Sequence, residues 1–172
     1  LPANARRRND HVTAQQAALE EDAVASPYNV YTDAADHSLG IIASGIGYNY
    51  VRECFASGQV PYPLLKISQY PLPKKLVRRM LSECERVLIV EEGQPFVEDI
   101  VRGVAEMPNV MGRLTGELPR TGELNPDVVK KALGMEVGEN YALCEDVAPR
   151  PPALCQGCGH RDVYTALNEV LR

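Results

Sequence analysis

Between His37 and Gly134, short unbroken apolar runs alternate with apolar residues spaced three and four apart. The runs "LGIIASG" (39–45), "PLLKISQ" (63–69) and "RVLIVEEG" (86–93) are too short for buried helices and stop at glycine or polar residues. They predict buried strands, with "NVMGRL" (109–114) as a weaker fourth. The intervening spacing is helical. Ile46, Tyr50, Val51, Cys54 and Phe55 share one face, and Gly58 follows as a stop. Leu76, Val77, Met80, Leu81 and Cys84 form a second stripe, with Pro73 suited to its first turn. Phe96, Val97, Ile100, Val101 and Val104 form a third. "NPDVVKKALG" closes the series with Asn125 as N-cap, Pro126 at the first helical position and Gly134 as a stop.

Strands that alternate with helices in this way predict an α/β domain with a mainly parallel sheet and helices on both faces. Parallel neighbours need crossover connections, and right-handed crossovers lay the helices against the sheet. This domain is expected over 38–135. Residues 1–37 form an N-terminal helical lead-in. "HVTAQQAALEEDA" offers Thr13 as N-cap with Gln16 three residues later, which predicts a helix to about Ala25. "SPYNVYTDAAD" predicts a loop. Residues 136–154 are irregular and carry Pro149, Pro151 and Pro152, a composition that suits a semi-rigid linker. From 155 to 172 a new amphipathic pattern begins, with Val163, Ala166, Leu167, Val170 and Leu171 on one face. Such a stripe calls for a cover, and the chain starts at Leu rather than Met. A piece of a longer protein is the expectation.

Composition narrows the class of function. The 172 residues are 45% hydrophobic and 24% charged, as in ordinary globular domains. The net charge of −5 lacks the basic footprint of a nucleic-acid binder, and the basic run at Arg6–Arg8 is short and terminal. There is no run of about 18 apolar residues to cross a membrane and no visible signal peptide. Five cysteines in a chain large enough to hold a core point to free thiols and a reducing cytoplasm.

Four constellations carry possible chemistry. Gly45 and Gly47 match the start of a dinucleotide-binding fingerprint, but Tyr50 stands where the third glycine belongs; a tight strand-to-helix turn suffices. Glu91 and Glu92 lie at the end of the third strand, where ligands of open α/β sheets gather. They can serve a neighbouring domain or a ligand hydroxyl, or form a solvated strand end. Glu123 precedes the Asn-capped helix, where an acidic residue needs no further role. Cys155, Gly157, Cys158, Gly159 and His160 form the last, in "RPPALCQGCGHRD" (150–162). A single C-x-x-C is half a zinc or iron–sulfur site. Cys54 and Cys84 belong to core stripes, and the spacing of Cys144 does not require it as a ligand. Two free thiols before a helix start, with backbone amides able to meet an anion, are the reading of this piece; no metal is expected in it.

The segments "YPLP", "VLIVEEGQPFVEDIVRG", "GELNPDVV" and above all "RPPALCQGCGHRDVYTAL" resemble the alpha subunits of the indolepyruvate ferredoxin oxidoreductases, within the thiamine-diphosphate-dependent 2-oxoacid:ferredoxin oxidoreductase family. The resemblance covers about 38–172. It departs at Gln156 and Gly159, where proline is common; the Gly-His form is closer to the related pyruvate and 2-oxoglutarate enzymes. The resemblance implies a transketolase C-terminal-like domain, followed by the start of a diphosphate-binding domain. It implies a parent that oxidatively decarboxylates aryl 2-oxoacids such as indolepyruvate, with coenzyme A accepting the acyl group and ferredoxin the electrons. It implies thiamine diphosphate, magnesium and iron–sulfur clusters in that parent, a beta subunit, and homodimer contacts. Cys155, Gly157, Cys158, Gly159 and His160 would then stand near the thiamine diphosphate site. No catalytic residue of the family falls on this chain, so it is expected to be inactive alone and to bind none of these cofactors. The competing readings are a non-catalytic α/β binding or assembly module with an incidental C-x-x-C, and a zinc module completed by dimerisation.

Overall fold

The computed structural model describes residues 2–103, 107–138, 144, 146 and 154–171. Val104, most of the proposed linker and its three prolines lie outside them. The chain forms two units, 1–137 and 138–172.

The first unit holds α1 (Pro2–Ala25), β1 (Val30–Thr32), β2 (Gly40–Ser44), α2 (Ile46–Glu53), β3 (Leu64–Ile67), α3 (Lys74–Glu83), β4 (Val87–Val90), α4 (Phe96–Arg102), β5 (Val110–Met111) and α5 (Pro126–Ala132). Its sheet has the order β1-β3-β2-β4-β5. The β2–β3, β2–β4 and β4–β5 pairs are parallel, and β1 pairs antiparallel with β3. This is an α/β domain of the kind expected, compatible with a transketolase C-terminal-like arrangement.

The two-residue period of the strands divides the core. Ile41, Ala43, Leu88 and Val90 face one way, against Val51 and Cys54 at α2 and Val129 of α5. Ile42, Val87 and Ile89 face the other way, against Val77 and Met80 of α3 and Val97 of α4. Both faces are covered, so the central strands are apolar throughout rather than alternating. Two glycines permit the close layers. A side chain at Gly40 would collide with Met80 and Cys84, and one at Gly47 would press on the Val90 carbonyl. Asn125 caps α5 as its sequence predicts, its Oδ1 accepting from the Val128 N–H at 2.9 Å.

The lead-in departs from expectation. Helix α1 starts at Pro2 and runs through Thr13, so Thr13 is not an N-cap. The alanines and arginines upstream of Thr13 have high helix propensity, which outweighs the local capping signal. The segment read as a loop contributes β1, because the outer edge of β3 offers free backbone groups to pair. Asn29 fixes it there. Its Nδ2 donates to the carbonyls of Ala23 and Gln69, and its Oδ1 accepts from the Ser68 and Gln69 N–H groups.

The third stripe is also turned. Val97 is buried, but Phe96 is 56% exposed and Ile100 is exposed as well, while Glu98 is 1% exposed. The reason lies in the partners of Glu98: both carboxylate oxygens accept from the Leu114 N–H at 3.1 Å. A backbone donor outside helix and sheet draws the carboxylate inward and rolls the phenyl ring out.

The second unit contains α6 (Gly159–Val170). Within this unit Val163, Leu167, Val170 and Leu171 are exposed.

Candidate functional site

The order β3-β2-β4 creates a crevice. Helix α2 follows β2 onto one face, and α4 follows β4 onto the other, so the connections diverge at the carboxyl ends of these neighbouring strands. This is where doubly wound sheets hold their ligands. A cleft of about 470 Å³ opens there, lined by Ser44, Gly45, Ile67, Ser68, Gln69, Tyr70, Glu91, Glu92, Gln94, Phe96 and others. Gly45, at φ 54, turns the chain from β2 into α2, and Gly47 brings that turn against β4. The glycine pair therefore has a full packing role. A larger hollow of about 530 Å³ involves Thr32 and Leu64, at the amino end of β3, and so lies away from the crevice.

Adjacent in sequence, Glu91 and Glu92 take different roles. Glu91 is 4% exposed, so it is not a solvated strand end. Its two oxygens accept from the Val97 and Glu98 N–H groups, each at 2.9 Å, and satisfy the first turn of α4. Burial pushes its carboxyl pKa up, the two backbone donors pull it back in part, and the neighbouring Glu98 charge adds to the rise. Glu92 faces the cleft, accepting from the Leu124 N–H at 3.1 Å and lying 3.7 Å from Arg113 Nη2. Arg113 is buried. Its Nε donates to the Glu91 carbonyl at 3.1 Å and its Nη1 to the Pro119 carbonyl at 2.9 Å, while its Nη2 has no hydrogen-bond partner among the described residues. Arg113 offsets part of the carboxylate charge and ties the chain after β5 to the end of β4. No sequence pattern announced Glu98 or Arg113 as buried; Glu98 lies off the apolar stripe of the third helix, and Arg113 near the end of the weaker strand run. Glu123 is exposed, two residues before the Asn125 cap.

In the second unit, Cys155 is exposed and Cys158 partly so. The Cys158 N–H donates to the Cys155 carbonyl at 3.2 Å, and Gly157, at φ 77, completes the turn into α6. Cys158 is the N-cap without a side-chain cap bond; the Arg161 N–H donates to its carbonyl at 2.9 Å, while the Gly159 and His160 amides precede the helix's own bonding ladder. Its Sγ lies 3.4 Å from His160 Nδ1. Gly159 and His160 are the first residues of the helix. These five residues thus form one turn, as their spacing implied. Two thiols do not make a four-ligand cluster site. Cys144 interacts with Asp146 at 3.7 Å. Cys54 and Cys84 are buried, and burial pushes both thiols up, as suits core residues.

Asp33, His37 and Glu83 also converge. Arg79 already lies between the carboxylates, at 3.2 Å from Asp33 Oδ2 and 2.9 Å from Glu83 Oε1, and its guanidinium rests 4.1 Å from the Tyr31 ring centre. This cluster is an ion-pair network that secures β1 to α3, with its cation supplied by the chain.

No helix of the described residues is long and apolar enough to cross a membrane. No protein-family model matches the chain, and no solved structure does. Among curated proteins, the chain is similar over 99% of its length to the indolepyruvate oxidoreductase subunit IorA of Methanothermobacter thermautotrophicus, at 37% identity. The IorA subunits of Archaeoglobus fulgidus and Thermococcus kodakarensis match over the same share at 34% and 31%. The chain spans about 29% of the length of each of these relatives.

Proposed function

We propose, on the premise that this chain belongs to the family of indolepyruvate oxidoreductase IorA subunits, that it is an assembly segment of such an oxidoreductase and does no chemistry alone. The premise rests on 31–37% identity across 99% of the chain. That relationship is the observation that carries the reading.

In this reading the whole subunit oxidatively decarboxylates aryl 2-oxoacids such as indolepyruvate, gives the acyl group to coenzyme A and reduces ferredoxin. Residues 38–135 act as the transketolase C-terminal-like domain, 136–154 as a linker and 155–172 as the start of a diphosphate-binding domain. The partners are the remaining domains of the subunit, a beta subunit, ferredoxin and a second copy, in the cytoplasm.

Thiamine diphosphate, held with magnesium, supplies the carbon nucleophile and the electron sink of such a reaction. The residues that fit it here are few. The uncapped first turn of α6 offers amides at Gly159 and His160 that suit a diphosphate oxygen. Gly157 allows the turn that presents them, and His160 can hold a proton beside the Cys158 thiol. Cys155 and Cys158 supply two thiols, which fall short of an iron–sulfur ligand set, so no electron-transfer step is assigned to them. The carboxylate of that turn, Asp162, is exposed, and no cofactor-activating role is assigned to it.

The test is to mix the chain with thiamine diphosphate, magnesium, coenzyme A, indolepyruvate and a viologen dye under anaerobic conditions. The expected result is no dye reduction above the protein-free blank, and an iron content far below stoichiometric after anaerobic purification. Dye reduction that depends on indolepyruvate, or about four irons per chain as a four-iron cluster requires, would overturn the proposal.

A further inference from the structure

The cleft at the carboxyl ends of β2, β3 and β4 has its own chemistry, separate from that of the α6 turn. Among the described residues its charged lining groups are Glu91 and Glu92, and no lysine, arginine or histidine lines it. Two large rings stand beside it, largely in solvent. Tyr70 is 71% exposed, and its ring centre lies 6.3 Å from that of Phe96 at a tilt of 48°. Ile67, Leu72 and Val97 provide an apolar floor. Exposed Tyr and Phe around a pocket are residue types that mark interaction hot spots.

The charge decides what fits. A phosphate or carboxylate would be repelled by Glu92, and the nearest cations, Arg113 at 3.7 Å from it and Arg120 at the rim, already donate to the Pro119 carbonyl and to Gln94. A planar cation would meet aromatic faces and acceptors. Glu92 retains acceptor capacity, because Oε2 takes one bond from the Leu124 N–H and Oε1 has only a 3.7 Å approach to Arg113. A guanidinium suits the site better than an ammonium, since it stacks flat on a ring while its edge donates in a fork. At the rim, the chain's own Arg120 donates through Nη2 to Gln94 Oε1 at 3.1 Å.

We propose that this cleft is a docking site for an arginine side chain carried on a partner polypeptide, the guanidinium stacked against Tyr70 and Phe96 and hydrogen-bonded to Glu92. The partner is a basic segment with its arginine exposed, and the Glu92 carboxylate at the cleft draws it in. This rests on the cleft itself and stands or falls independently of the oxidoreductase reading.

The experiment is a titration of the isotope-labelled chain, followed by NMR, with a terminally blocked tripeptide bearing a central arginine. The same peptide with citrulline, a neutral analogue of similar shape, is the control. Saturable shifts are expected at Gly45, Ser68, Gln94 and Phe96 with the arginine peptide, and binding at least about fivefold weaker with citrulline, as loss of a cation–π contact and a charge-assisted hydrogen bond implies. Phe96→Ala, at an exposed position that leaves the core intact, and Glu92→Gln, which retains an acceptor for Leu124, should each weaken the arginine peptide severalfold. Equal binding of the two peptides, shifts that never saturate, or full binding by both variants would overturn the proposal.

Discussion

At Glu91 a carboxylate gives up water for two backbone N–H groups at the start of α4. Desolvation outweighs those bonds, so its folded pKa lies above the ordinary glutamate value. The sign of the consequence follows. Between the ordinary value and the raised one, the folded chain holds more protons than the unfolded chain, so the contribution of this group to stability falls as pH rises through that window. Below the ordinary value the contribution is fully present. Glu83 and Asp36 are shifted down, chiefly by hydrogen bonds donated by Arg79 and by Ser38 respectively, and act in the opposite sense. A comparison with Glu91→Gln removes those shared terms. The stability difference, wild type minus variant, should move in favour of the wild type as pH falls from neutral toward the ordinary glutamate range. Urea unfolding at each pH measures it, and a difference that stays constant would show that Glu91 titrates alike in both states.

Among the elements, α2 depends on a single missing side chain. Gly47 sits where a Cβ would lie 2.7 Å from the Val90 carbonyl oxygen, which is backbone and cannot swing away. Gly47→Ala gains helix propensity worth about 1 kcal/mol in an open helix. Here the clash should reverse that sign, with a net loss of about 1–3 kcal/mol, the range for overpacked sites. Urea unfolding decides it; an alanine variant as stable as the wild type would show that α2 can slide off β4. Helix α4 teaches a different lesson. Its apolar spacing placed Phe96 and Ile100 inward, but it has only seven residues and two turns' worth of stripe. Over so short a length, the caps and the demand of the Leu114 N–H set the rotation of the helix, and periodicity alone does not.

At the scale of the whole molecule, both hydrophobic clusters draw all their buried residues from 39–129, inside the first unit. A chain ended at Val137 should therefore keep the cooperative unfolding of the full chain, with a midpoint within a few degrees, about the shift of 1 kcal/mol or less. Calorimetry checks this. Loss of the transition on truncation would place part of the first unit's stability in the second. The α6 turn would then be more than an appended motif.

The strand–helix alternation, the two-sided burial of the central strands, the Asn125 cap and the grouping of Cys155, Gly157, Cys158, Gly159 and His160 in one turn were legible along the chain. Each depends on neighbours within a few residues, or on a period that any sheet or helix of this sequence must obey. Even the family was legible there, since a motif is local. Other features were decided only in three dimensions. The sequence near Val30 carries no sign that β3 will offer it a free edge, nor does the sequence around Glu98 reveal that the Leu114 N–H will need a carboxylate. The same holds for Arg113, drawn into the interior by the carbonyls of Glu91 and Pro119. Buried polar groups are placed by partners distant in sequence, because the low-dielectric interior penalises any that stay unpaired. The cleft arises likewise. Its lining comes from the ends of three strands that become neighbours only once the crossovers have closed, and the exposure of Tyr70 and Phe96 beside the glutamates exists only in that arrangement.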